Sequence, residues 1–113
     1  MVSIDAARKF ALSFEGVVEL PHFELTSFRV NKKIFASLDT KKQLLMVKLS
    51  EIDQSVFCSC NKTIIYPVPG HWGLQGATHI ELKRVKVSVF KDALTTSYCN
   101  VAPKKLAEKY RRE

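Results

Sequence analysis

The sequence predicts an α+β domain, with an antiparallel β-sheet flanked by N- and C-terminal helices. Three observations carry that reading. The first fourteen residues and the stretch from Val87 to Val101 repeat apolar side chains at helical steps of three and four. The central stretch "LTSFRVNKKIFASLD" instead alternates in twos, as half-buried strands do. Helices and strands also come in blocks rather than alternating along the chain, which favours α+β over a parallel α/β sheet. At 113 residues the chain has room for one domain, 1–113, and one modest core.

Taken in order, Ser3 is placed to cap a helix over roughly residues 4–13. In it Ile4, Ala7, Ala11 and Phe14 form one stripe with Phe10 beside it, and Glu15-Gly16 stops it. Val17–Leu20 makes a first strand ended by Pro21. Strands Thr26–Val30 and Lys33–Leu38 follow, around Asn31-Lys32. A two-residue turn there would pair Phe28 with Phe35 and set Arg29 opposite Ile34. A three-residue turn, 31–33, pairs Val30 with Ile34 and keeps Phe28, Val30, Ile34, Ala36 and Leu38 on one face. It is the expected choice, and it leaves Arg29, Phe35 and Ser37 on the other face. Asp39-Thr40-Lys41-Lys42 turns into a strand Leu44–Leu49. Ser50 with Asp53 resembles a cap for a helix of about two turns through Phe57. The Pro- and Gly-marked stretch "CSCNKTIIYPVPGHWG" reads as an irregular connection to a last strand, Thr78–Leu82. Val87, Phe90, Leu94, Tyr98 and Val101 then define an amphipathic helix, and Pro103 opens a final one, "PKKLAEKYRR".

Charge is unevenly spread. Residues 29–48 hold Arg29, Lys32, Lys33, Lys41, Lys42 and Lys48 against Asp39 alone, net +5. Residues 83–113 carry nine bases and three acids, net +6, and the rest of the chain is net acidic. Clusters of this kind are the footprint of a phosphate- or carboxylate-rich partner, though a solvated surface produces them equally well. No run of 18 apolar residues spans a membrane, and Asp5, Arg8 and Lys9 interrupt the N-terminus, so no membrane partner is expected. Three cysteines, an odd number, fit reduced thiols in a cytoplasm.

An ordered set of motifs, "PHFELTSFRVNKKIFASLD", then "HWG" after a Pro-rich loop, then "VAPKKLAEKY", resembles the MmcQ/YjbR family of small bacterial proteins from about Arg8 to Tyr110. The resemblance implies a CyaY-like α+β domain, and a DNA-binding label that the family carries from a proposed double-wing shape. After "HWG" the family often has a basic residue and an aromatic around the next glycine. Here Leu74, Gln75 and Ala77 stand there, so any contact made by that loop is smaller and less charged.

Each candidate site has a plain structural alternative. Cys58-x-Cys60 with His71 and His79 has the residue types for zinc, but the step is tighter than the usual two-residue gap, and a structural thiol pair is expected, with no metal. Cys99 reads as a small buried hydrophobe. A CyaY-like fold suggests iron by analogy, yet Asp5, Glu15 and Glu19 are interleaved with Arg8 and Lys9, too few oxygens for a hard cation. No cofactor is implied. No nucleophile elbow, phosphate-cradling loop or carboxylate pair is present, so no catalytic residue is assigned and an enzyme is not expected. Trp72 is expected to fold back as a lid on the sheet, the other reading being an exposed stacking platform.

Two functional readings remain. One is a non-catalytic, monomeric nucleic-acid-binding domain that contacts DNA phosphates non-specifically through Arg29, Lys32, Lys33, Lys41 and Lys42 on hairpin wings, helped by Lys104 and Lys105. The other is a module for an unidentified protein or small ligand, using a face around His22, Phe35, His71 and Trp72.

Overall fold

Two serine hydroxyls start two helices. In the computed structural model, which describes residues 1–22 and 24–110 but not the side chain of His22, Ser3 Oγ accepts from the Ala6 N–H at 3.0 Å and opens α1 (Ile4–Leu12). Ser50 Oγ likewise accepts from the Asp53 N–H at 3.1 Å and opens α2 (Glu51–Cys60). Each hydroxyl satisfies an N–H that the first helical turn leaves without a partner. Between the helices run β1 (Val17–His22), β2 (Leu25–Val30), β3 (Lys33–Asp39) and β4 (Leu44–Lys48). After α2 come β5 (Ile65–Pro67), α3 (His71–Leu74), β6 (Ala77–Glu81), α4 (Val87–Val101) and α5 (Lys104–Ala107).

The strands form one antiparallel sheet in the order β1-β2-β3-β4-β6-β5. Helices α1, α2 and α4 pack on the face that carries Phe28, Ala36, Leu38, Leu45, Val47 and Ile80, which are fully buried or nearly so. Contacts from three helices mark that face: Phe35 against Tyr98 of α4, Arg8 of α1 with Glu19, and Gln54 of α2 with Thr78. The chain is therefore α+β as expected. Its centre is an aromatic cluster in which Tyr98 stacks on Phe14 at 4.6 Å and meets Phe35 edge-on at 5.5 Å. The buried Ser97 ties α4 to the sheet by donating to Phe35 O at 2.6 Å and accepting from the Lys48 N–H at 3.0 Å. No buried side-chain polar atom is without a partner among the described residues.

Several expectations need correction. The β2–β3 turn has two residues, not three: Val30 faces Lys33 and Arg29 faces Ile34. The extra residue sits in a β-bulge farther along, after which Phe28 faces Ala36 and Thr26 faces Leu38. The bulge swings Phe35 onto the helix-covered face, where it is fully buried. Pro21 does not end β1 but pairs with Thr26 inside it. β1 is an edge strand, so the missing N–H leaves no neighbour without a donor. The connection read as irregular contains β5 on the other edge and the short α3, and α2 runs through Cys60. Finally, the Lys104–Ala107 helix is only one turn, with Pro103 as its cap rather than its first helical residue.

Two glycines hold α3 in place. A Cβ on Gly73 would stand 1.8 Å from Val68 O, and one on Gly76, at φ +104°, 1.8 Å from Leu49 O. Backbone approaches this close are open only to glycine. With Gly73 turned inward, its neighbour Trp72 points out and is 65% exposed. Trp72 is not the expected lid on the sheet.

Candidate nucleic-acid interface

The cations singled out from the sequence divide into two groups. Successive turns of a meander lie at opposite ends of the shared strand, and β3 has seven residues at about 3.3 Å each. The turns bearing Lys32-Lys33 and Lys41-Lys42 are thus roughly 20 Å apart and face opposite ways, rather than forming two wings side by side.

At the first end the fold assembles a cleft lined by Arg29, Lys32, Lys33, Ile34, Lys48, Asn100 and Val101. Strand β4 ends there with Lys48 and helix α4 with Asn100-Val101, so residues far apart in sequence share one wall. No carboxylate of a described residue lines it. The ion pairs among the described residues are Arg8–Glu19, Lys9–Asp5, Arg84–Glu81 and Lys109–Glu15, and none involves a cleft cation. These cations also complement the carbonyl end of the α4 dipole, a purely structural use that the arrangement serves as well. Lys104 and Lys105 are exposed on α5 at this same end, since Leu106 of α5 and Val30 of β2 both approach Gly16. Arg111 and Arg112 lie outside the described residues.

Backbone geometry adds a second feature. Asn31 and Lys32 both have positive φ, 51° and 68°, the conformation of a type I′ hairpin turn. Glycine is favoured at the second of these positions, yet a lysine stands there. At the far end Lys41 and Lys42 are held by Asp39, whose Oδ1 accepts from both backbone N–H groups at 3.1 and 3.0 Å. Their ammonium groups remain outside any ion pair with a described residue.

The alternative face does not come together. Phe35 lies in the core, because of the bulge, and cannot contact a ligand. His71 and Trp72 stand together on α3 with rings 6.4 Å apart, and His71 Nε2 lies 3.0 Å from the Gln75 amide nitrogen. The side chain of His22 lies outside the described residues.

Cys58 and Cys60 end α2 without a disulfide. Burial first, then the neighbouring Cys60, raises the Cys58 thiol, opposite to the shift that makes a thiolate ligand or nucleophile. His79 is half-buried in β6, 5.8 Å from the Tyr66 ring. Burial and then Lys42 lower its pKa, against the smaller pull of Asp39 and Glu81, so it is neutral at pH 7. Among the described residues no three His, Cys, Asp or Glu side chains are grouped to hold a metal ion, and no helix is long and apolar enough to cross a membrane.

The class this defines is a two-layer α+β domain with helices on one face of an antiparallel sheet and a cationic cleft at one sheet end. A family model described as YjbR matches residues 12–100, and the chain belongs to that family. Its fold is similar to the crystal structure of Deinococcus radiodurans protein DR2400, which carries the family-model domain DUF419. The TM-score is 0.81 at 17% identity, over 97% of this chain and 88% of that one. At that identity the likeness concerns the fold. No curated protein matches the sequence.

Lys48 and Asn100 were not singled out from the sequence. Lys48 sits in the same basic run as the hairpin lysines, a signal that could have included it; Asn100 carries none.

Proposed function

We propose that this chain is a non-catalytic nucleic-acid-binding domain that grips backbone phosphates, DNA included, without reading sequence. The observation that carries the proposal is the cleft in which Arg29, Lys32, Lys33 and Lys48 converge with no acid among its described lining residues. Four cations held close together at a surface attract a polyanion more than they stabilise one another, and counterion release on binding supplies the affinity. The lysine at a glycine-favoured turn position supports the same reading, because a residue that costs backbone strain is explained by what its side chain does. The double-wing geometry is replaced by one basic end as the main contact, with Lys104 and Lys105 beside it and Lys41 and Lys42 as a separate, distant contact.

Fluorescence anisotropy with labelled duplex DNA, single-stranded DNA and RNA at two salt concentrations tests this. The slope of log K against log salt should be roughly −0.9 per phosphate neutralised on duplex DNA, and Lys33→Gln with Lys48→Gln should flatten it by about one per residue. No binding to any of the three at low salt sinks the proposal.

A second reading, a module for a protein or small ligand, attaches to α3, where Trp72 and Leu74 are both exposed. It predicts that Trp72→Ala leaves nucleic-acid affinity unchanged, and a loss equal to that of the lysine variants would discard it.

A further inference from the structure

Among the described residues no helix covers the second face of the sheet. There the register aligns Leu20, Ser27, Ser37, Met46, His79 and Tyr66 in one row across all six strands. The two serines form a buried floor, 0% and 5% exposed, while Leu20 at 43% and Val18 at 52% stand out beside it. A solvated antiparallel face ordinarily presents polar side chains. This one adds leucine, valine, methionine and two rings in edge-to-face contact to its serines and charged groups.

Charge at the margins narrows what such a face can receive. Arg29 lies along it, its Nε donating to Ser27 Oγ at 3.1 Å, and links the face to the cationic cleft. Lys41 and Lys42 stand at the opposite end. Among the described residues the register places two acids on this face, and both are engaged: Asp39 with the turn N–H groups, and Glu81 with the Tyr66 hydroxyl at 2.7 Å and with Arg84. A second copy of the chain would bring like charges together at both ends, and a duplex keeps its bases inside and could use the cations only.

We infer that the open face binds single-stranded nucleic acid, with bases laid against Met46, His79 and Tyr66 and phosphates on the cations at the two ends of the sheet. This rests on the phosphate-contact reading above. Neutral His79 and the Tyr66 ring supply the π-surfaces on which bases of any identity stack. The row crosses the strands while the cations lie at the strand ends, so the nucleic-acid strand runs along the sheet's strands and crosses the row once. Only a few nucleotides are contacted.

The test is anisotropy with a labelled oligothymidylate and a hairpin duplex, on the wild type, His79→Ala, Met46→Gln and the Lys33→Gln, Lys48→Gln pair. His79→Ala should weaken single-strand binding by at least about fivefold, the value of one lost stacking contact, and change duplex binding by less than about twofold. Met46→Gln, at a half-buried position of similar side-chain length beside His79, should act in the same direction even if His79→Ala fails to fold. If both variants bind the single strand as the wild type does while the lysine pair binds it weakly, the open-face inference is wrong and the cleft reading stands. Equal losses for single strand and duplex also overturn it, as does equal competition by polyglutamate. Failure of the wild type to bind either nucleic acid overturns both readings.

Discussion

The two faces of the sheet are built from the same strands, residue by alternate residue, and end in opposite states. One holds Phe28, Phe35, Leu38, Leu45, Val47 and Ile80 against the Phe14–Tyr98 stack, with Ser97 bonding to both β3 and β4. The other leaves Val18 and Leu20 exposed and Met46, His79 and Tyr66 half-covered. The first face is explained by folding: burial of large apolar side chains is the main favourable term. The second face is not needed for that core. Apolar residues left exposed on a sheet face are where binding is to be looked for.

The largest effect should come from the covered face. Phe35→Ala removes a fully buried ring, and urea denaturation should show a loss of roughly 3–5 kcal/mol. A loss below about 1 kcal/mol, as at a surface site, would mean the bulge does not deliver Phe35 to the core.

Tyr98 gives a smaller effect with a pH signature. Burial first, then Tyr110, Glu15 and Cys99, push its pKa up to about 12 from 10.0. As pH rises the unfolded chain loses this proton before the folded one does. The contribution is complete below pH 10 and is lost as pH approaches about 12. Thermal melts should show Tm falling through that window, and Tyr98→Phe should reduce the fall. Below pH 10, Tyr98→Phe should cost about 1 kcal/mol for the bond from its hydroxyl to Glu15 O. An unchanged alkaline profile in the variant would show that Tyr98 is not the titrating group.

Lys32→Gly separates stability from function at the turn. Relief of the left-handed strain exceeds the added chain entropy of glycine, giving a gain of roughly 0.5–1 kcal/mol. DNA affinity should fall at the same time, by the loss of one phosphate contact. Opposite signs in the two measurements support a functional lysine, whereas unchanged affinity would leave Lys32 outside the interface. The smallest effect belongs to the open face: Val18→Thr should change stability by no more than about 0.5 kcal/mol. A larger loss would mean that this face is packed after all.

Much of the fold was legible because its signals are local. A serine three residues before a backbone N–H, a Phe90–Leu94–Tyr98 stripe and a two-residue alternation are all set within a few positions. The register of β2 and β3 was half legible, since the hydrophobic pattern demanded one extra residue. That it sits in a bulge rather than in the turn depends on α4, whose Tyr98 and Ser97 engage Phe35 from more than sixty residues away. β5 escaped notice because three residues ending in proline have no periodicity of their own; β6 defines them as a strand. The site was legible as charge, not as shape. The hairpin lysines were evident, but their division between two sheet ends follows from meander topology.

The sequence by itself determined the class of the domain, the helix caps, the meander strands and the two basic segments, because each depends on neighbours a few residues apart. Only the tertiary structure decided which face Phe35 joins, that Trp72 points outward, and that Arg29, Lys33, Lys48 and Asn100 share one cleft. Those outcomes depend on contacts between distant segments, where packing and backbone approach select among arrangements that local preference leaves equal.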